Sequence, residues 1–376
     1  MKLRIKRSLL LESINKVSKA ISTKNLIPIL AGIKFDLSKN GLTLTASNND
    51  ITIQHFTEID KDNMTIDKEG IIIIQGKEIS DIVRIIHDEY INIEVIDELK
   101  LLIHTDDNNI RYDLNVVNKE EYPNILLEEN KNFVTISGKT LLNIVKQTAF
   151  ATSNDESRPV LTGINFKING NIMECNATDS YRLARKEINL EKVVEESYNI
   201  VIPSKNIIEF SRIISEDDES IQIHIFNNKI LFKTANLLFQ SRLINGNYPN
   251  ASSLLPDESI LKVNASLQGL YSVIEQASIL TTDKEKNIVS LTTNNNKLTV
   301  KSVSNEKGKA EMHLTVEKNN EEEINISFSA KYMMEALNSL DNDEVELSFV
   351  GEFKPIVVKN KDDNTLIQLV LPIRTY

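Results

Sequence analysis

Pro28-Ile29-Leu30-Ala31-Gly32-Ile33-Lys34-Phe35 returns in pattern as Pro159-Val160-Leu161-Thr162-Gly163-Ile164-Asn165-Phe166, 131 residues further on. Leu44-Thr45-Ala46-Ser47-Asn48 and Cys175-Asn176-Ala177-Thr178-Asp179 share that separation of 131 residues. Tyr122-Pro123-Asn124 comes back as Tyr248-Pro249-Asn250 after 126 residues. A single match of this kind arises easily by chance, but matches that keep their order along a chain mark an internal repeat. A fainter series extends it. The stretch 76–86 resembles 203–214, Ser329 to Leu337 is the next instance, and Leu298 to Ser302 follows the pattern of Leu42 to Ala46. Drifting separations are what loop insertions leave behind.

Each copy has the same layout. It opens on an amphipathic helix: Leu10, Ile14, Val17 and Ile21 in the first, Leu141, Ile144, Val145 and Thr148 in the second, Leu267, Leu270, Ile274 and Ala277 in the third. That spacing gathers the apolar residues on one helical face. Alternating runs such as Gly41 to Thr45 and Ile221 to Ile225 read as strands. A second helix and further strands follow. The expected fold class is therefore α+β: three tandem copies of one domain, over 1–127, 128–254 and 255–376, with helices on one side of antiparallel sheets.

Composition agrees with several domains. The chain has 376 residues, 41% of them apolar, which suffices for packed cores. Cys175 is the single cysteine, so neither a disulfide framework nor a cysteine metal site is expected, and a reducing cytoplasm fits. The basic start, Met1 to Arg7, imitates a secretory leader, but Glu12 interrupts the apolar run after Leu11. The aliphatic run Ile71 to Ile74 has the length of a strand, not of a membrane span.

Charge is less obvious. A net charge of −11 argues against a protein that grips nucleic acid through many phosphate contacts. The six expected helix windows (8–25, 76–87, 138–152, 203–215, 265–280 and 329–340) nevertheless hold ten cations against six acids. The acids concentrate elsewhere, in Glu128-Glu129, Glu216-Asp217-Asp218-Glu219 and Glu321-Glu322-Glu323. Such runs are ordinarily solvated loops. The alternative is an acidic rim around a mildly basic wall, enough for a protein linked to DNA by topology.

No arrangement of residues assembles a reaction. Ser137-Gly138-Lys139-Thr140 looks like the end of a phosphate-binding loop, but Phe133 stands where that loop needs glycine, so the segment reads as a helix start with Ser137 as cap. His55, His87, His104, His224 and His313 have no metal-ligand spacing, and Asp179-Ser180 has no base near it in sequence. No cofactor and no metal is expected.

Leu3 to Lys19 with Pro28-Ile29-Leu30, then Ser157-Arg158-Pro159-Val160-Leu161-Thr162-Gly163 with Ala177-Thr178-Asp179-Ser180-Tyr181-Arg182-Leu183-Ala184, and finally Leu371-Pro372-Ile373-Arg374-Thr375-Tyr376, resemble the bacterial DNA polymerase III beta subunit family of Gram-positive type, the sliding clamps. The resemblance runs in order over the whole chain. Tyr181 is a departure, since many members carry His there. The resemblance implies clamp-type domains with helices on the inner face of a ring. It also implies a non-catalytic processivity factor closed as a head-to-tail homodimer around duplex DNA, regardless of sequence and without a membrane role.

The resemblance further implies a pocket for short peptide motifs of the replicative polymerase, the clamp loader and repair factors. Its first part would be Leu161, Thr178, Ser180, Tyr181, Arg182, Leu183, Pro249 and Leu254; its second, Tyr332, Phe353, Pro355, Leu369, Leu371, Pro372, Ile373 and Arg374. Leu369, Leu371 and Ile373 alternate as one strand face would, yet Pro372 cannot donate to a ladder, which puts the segment at an edge or outside the sheet. By position, Tyr112 and Leu114 would meet Ile279 and Leu280 across the dimer interface, although core packing explains each one singly. Lys24 matches a basic DNA contact, and Lys16, Lys19, Lys77, Lys139, Lys146, Lys205 and Arg212 would face DNA with it. Two other readings stay open on the residues: a three-repeat scaffold that never encircles DNA, and an enzyme whose site is dispersed along the chain.

Overall fold

The computed structural model describes every residue except 23–26, 98–99, 118, 251–254, 257, 282–286, 305, 362 and 375–376. Among the described residues six α-helices come in pairs: α1 (Arg7–Val17) and α2 (Gly76–Ile85), α3 (Gly138–Thr148) and α4 (Ser204–Ser211), α5 (Leu267–Ser278) and α6 (Ala330–Asn338). All strand pairings between named strands are antiparallel, and they build four sheets of five, eight, seven and four strands.

The repeats share one pairing rule. The strand that enters the first helix of a repeat pairs with the strand that follows the second helix: Lys2–Lys6 with Tyr90–Asp97, Val134–Ile136 with Ile221–Ile225, Leu261–Ser266 with Glu344–Phe349. Conversely, the strand entering the second helix pairs with the one after the first. Gly70–Gln75 joins Gly32–Ser38, the end of Arg182–Pro203 joins the start of Gly163–Thr178, and Asn325–Ser329 joins Ile288–Asn294. The same crossed exchange three times over makes the chain three tandem copies of one α+β domain.

Contacts nevertheless divide the chain into two compact units, 1–139 with 206–243 and 140–205 with 244–376, so the middle repeat is shared between them. Strand pairing is the reason. In the first unit Leu237–Arg242 of the middle repeat pairs with Ile51–Glu58 of the first. In the second unit Arg182–Lys186 pairs with Leu366–Val370 of the third repeat. A sheet that runs on across a repeat boundary leaves no seam there.

The signature Pro-x-Leu-x-Gly forms the same device twice. Pro28–Ala31 and Pro159–Thr162 are 3₁₀ turns, with the fixed proline φ at their first position. Leu30 and Leu161 are buried beneath them. Gly32 and Gly163 then enter the sheet against Ile73 and Val201, whose side chains would lie 2.6 Å from any Cβ. The Tyr-Pro-Asn segments close the first two repeats. The Tyr122 hydroxyl donates to the carbonyl of Thr45 (3.5 Å), and the Tyr248 hydroxyl accepts the N–H of Thr178 (3.0 Å).

Two expectations need correcting. Helix α1 ends at Val17 and passes through a 3₁₀ turn at Ser18–Ala20, so Ile21 lies beyond the helix whose face it was expected to join. Its side chain packs over Gly76 at the start of α2 instead, where a Cβ would lie 2.2 Å from Ile21 Cδ1. The helices proper are also shorter than the windows. Lys19 and Arg212 fall past helix ends while Arg7 falls inside, so the six helices hold eight cations against six acids.

Gly138 opens α3, and its amide donates to the carbonyl of Asp218 at 2.7 Å. A Cβ at Gly138 would sit 2.1 Å from the carbonyl oxygen of Ser215, so glycine is there to let the 215–218 turn approach. An amide already committed in this way cannot cradle a phosphate. Gly138→Ala should lower unfolding free energy by about 1–3 kcal/mol, the usual penalty for forcing extra volume into a packed site, as measured by urea denaturation.

Candidate functional site

The residues expected in the peptide pocket all lie in the second unit, apart from Leu254, which is outside the described residues. Their frame is the turn between Gly163–Thr178 and Arg182–Pro203. Asp179 accepts from the N–H groups of Tyr181 (2.9 Å) and Arg182 (3.1 Å), and Thr178 Oγ1 donates to the carbonyl of Arg182 at 2.6 Å. Ser180 is held at φ 77°, a left-handed conformation that non-glycine residues seldom adopt. The Leu371 N–H donates to the Tyr181 carbonyl (3.0 Å). Tyr181 thus has a pinned backbone and a side chain that is 63% exposed.

Arg182 is the hub beneath this turn. It is buried, pairs with Asp179 at 3.0 Å and with Glu335 of α6, and lays its guanidinium 4.4 Å from the ring centre of Tyr332. Tyr181 stacks on the same ring, at 6.4 Å between centroids. Two carboxylates and an aromatic face compensate the buried cation, which otherwise would be costly to desolvate. Burial also pushes the phenols of Tyr332 and Tyr248 above their ordinary pKa.

Beside the turn lies an apolar floor. Leu183 and Leu369 are direct cross-strand partners, and they cluster with Val357, Leu255 and Ile367. Val370 and Leu366 belong to the opposite face, packed into the core of the third repeat. The strand ends at Val370, so the one-face alternation stops at Leu371. Residues 371–374 lie outside any strand, and the Ile373 N–H donates to Ser327 (2.7 Å). Phe353 is exposed, with the Arg374 guanidinium 5.6 Å from its ring centre, while Pro355, Pro372 and Ile373 are half-buried. Leu161 is buried in its turn and Pro249 is exposed next to Tyr248. Sequence reasoning missed Val357 and Ile367 in the floor, and Asp179, Glu335 and Tyr248, which hold the turn.

Only part of the expected basic set is brought together. Lys16, Lys19 and Arg212 line one groove of about 690 Å³ in the first unit, joined by Arg7. Arg7 also donates to the carbonyls of Val83 (3.0 Å) and Arg84 (2.8 Å), the last turn of α2. Several of these charges are partly spent: Lys16 pairs with Glu12 at 2.7 Å, Arg212 with Glu209, and Lys146 with Asp341. Lys77, Lys139 and Lys205 are exposed on α2, α3 and α4, and Lys24 lies outside the described residues. Of the expected interface residues, Tyr112 and Leu114 are half-buried on the edge strand Arg111–Asn115, Ile279 is 69% exposed past the end of α5, and Leu280 is half-buried. Among the described residues, no cluster of His, Cys, Asp and Glu has a metal-binding arrangement, and no helix is long and apolar enough to cross a membrane.

Three family models cover almost the whole chain in order: the N-terminal domain of the DNA polymerase III beta subunit over residues 1–126, the central domain over 135–250 and the C-terminal domain over 252–374. The chain belongs to this family. It is 37% identical over 380 residues to the beta sliding clamp of Bacillus subtilis (strain 168), covering all of both chains. It matches the crystal structure of the Bacillus subtilis DNA polymerase sliding clamp with a TM-score of 0.95 at 36% identity, again over the full length of both chains. The beta subunit from the DNA polymerase of Streptococcus pyogenes gives a TM-score of 0.95 at 29% identity, also over all of both chains.

Within this beta subunit family member, His55 explains how Lys16 is held. The imidazole is 4% exposed, and its Nε2 lies 3.4 Å from Lys16 Nζ. Burial, aided by the Lys16 charge, lowers its pKa to about 4, so it stays neutral and accepts from the ammonium. The unfolded chain takes up a proton below about pH 6.5, but the folded one does not until about pH 4. His55 should therefore cost no stability above pH 6.5 and up to about 3 kcal/mol as pH falls to 4. Denaturation of the wild type and His55→Gln across that range should show a smaller loss in the variant.

Proposed function

We propose that two copies of the chain, each with domains 1–127, 128–254 and 255–376, close head to tail into a ring around duplex DNA and tether the replicative polymerase there. Family membership makes the chain a DNA sliding clamp, a processivity factor without a reaction of its own.

One observation carries the ring closure. At both junctions inside the chain, a strand that follows one repeat's first helix, the third after α1 and the second and longer one after α3, pairs with the third strand after the next repeat's second helix. Applied once more, that rule leaves two strands over. They are Gly308–Thr315, after α5, and Arg111–Asn115, after α2, and each has an outer edge with no neighbour among the described residues. Their patterns match. Tyr112 and Leu114 alternate with charged Arg111 and Asp113, as Met312 and Leu314 alternate with Glu311 and Lys309. Pairing Gly308–Thr315 of one copy with Arg111–Asn115 of another covers both edges, and repeating it closes a dimer. Ile279 and Leu280 follow the helix that packs on Gly308–Thr315, and the proposal assigns them to this seam.

In the proposed ring the helices line the hole, with Lys16, Lys19, Lys24, Lys77, Lys139, Lys146, Lys205 and Arg212 toward DNA. The floor of Leu183, Leu369 and Val357, beside the stacked Tyr181 and Tyr332, suits an extended apolar motif of the polymerase, the clamp loader or a repair factor, with Leu371 and Ile373 alongside it. The reading places the protein in the cytoplasm.

Sedimentation velocity at micromolar concentration should give the mass of two chains for the wild type and of one for Leu114→Asp, which buries a charge in the seam. A wild-type monomer would refute the ring. Replacing Leu371 and Ile373 by Ala should weaken a polymerase-derived motif peptide at least tenfold in fluorescence polarisation while leaving the two-chain mass intact. Unchanged affinity would remove the groove from the account.

A further inference from the structure

The apolar floor does not stop at the expected pocket. Across the seven-stranded sheet, directly opposite residues run Leu183, Leu369, Val357, Ser348, Lys262. One step along the strands, Ile367 lies opposite Lys359. Leu369, Val357 and Ile367 belong to one small cluster, whereas Val358 and Val370 are buried in the core on the other face. The face that carries the floor therefore continues over Val357 and Ile367. It ends in a cavity of about 130 Å³ lined by Leu255, Glu258, Lys262, Val357, Lys359 and Ile367, among others.

The two lysines give this extension its chemistry. Lys359 is half-buried and makes no ion pair among the described residues, and Lys262 reaches Glu346 only at 3.7 Å. A half-buried lysine beside valine and isoleucine side chains favours a ligand with a short apolar stem and a terminal carboxylate. Glu258 limits how many such carboxylates fit, which argues for one rather than a run.

We propose that the cavity takes an acidic side chain, glutamate by size, from a segment flanking the apolar motif of a bound partner peptide. This rests on the groove reading above and adds a specificity element to it. Spacing follows from sheet geometry. Lys359 is the diagonal neighbour of Leu369, about 7–8 Å away. An extended peptide rises about 3.3 Å per residue, so the glutamate lies about two or three positions from the side chain seated over Leu369. The register leaves both chain directions open, so the test includes each.

Fluorescence polarisation with three labelled peptides sharing a central Leu-Phe pair tests this: Glu three positions before the pair, Glu three positions after it, and Gln at both places. One of the Glu peptides should bind the wild type about threefold to fivefold more tightly than the Gln peptide, the range of a partly exposed ion pair. The difference should shrink in high salt. It should vanish in Lys359→Ala and reverse in Lys359→Glu, which repels the Glu peptide, while the Gln peptide binds all three proteins alike. Equal binding of all three peptides to the wild type, or a preference that survives Lys359→Ala, overturns the proposal and leaves the groove standing. Failure of every peptide to bind overturns the groove and this extension with it.

Discussion

Antiparallel strands need neighbours on both edges, and this chain meets that need by lending strands from one repeat to the next. Inside each repeat the crossed exchange ties the two helix-bearing halves together. Between repeats, Leu237–Arg242 completes Ile51–Glu58, and Leu366–Val370 completes Arg182–Lys186. The arrangement explains why the middle repeat divides between two compact units although the chain has three domains in sequence. Among the edge strands of the four sheets, the pairing rule between repeats singles out Arg111–Asn115 and Gly308–Thr315 as the two that would be matched next. Exposed edges of this kind invite uncontrolled pairing unless something covers them. The proposed head-to-tail dimer covers them with each other.

Electrostatics fits a protein held on DNA by linkage more than by grip. The chain carries a net charge of −11, and its helices hold an excess of two cations, several of them already paired with carboxylates. Many tight phosphate contacts would give strong, salt-sensitive binding. A ring needs no such contacts, since escape requires parting a strand pairing. The acidic run Glu128-Glu129 is an exposed loop, as such runs ordinarily are, and it also pairs with the strands of its own repeat: Glu129 with Lys233 at 2.7 Å and Glu128 with Lys229 at 3.4 Å.

The repeats were legible because Pro-x-Leu-x-Gly is dictated by sterics: a proline φ, a buried leucine and a glycine where a neighbouring side chain leaves no room for a Cβ. Helix ends were less legible. Ile21 fits the spacing of α1 but serves α2, and nothing in a periodicity marks where a helix gives way to a 3₁₀ turn. Arg7, read as part of a leader-like basic start, instead satisfies the last carbonyls of α2. Val357 and Ile367 were missed in the apolar floor for a physical reason. Ile356-Val357-Val358 is apolar on both faces because both faces are covered, so alternation carries no signal there. Strand pairing between distant repeats leaves no trace in local sequence at all. Only the resemblance to the beta subunit family pointed to the pocket, and the structure supplies the ion pairs and turn bonds that shape it.

The account stands on closure through the two remaining edges, and direct imaging of the purified protein tests it. Electron micrographs should average to a closed ring of two chains with an open centre, its two seams at Arg111–Asn115 and Gly308–Thr315. A compact particle without a hole, or separate chains with both edges free at micromolar concentration, would contradict it.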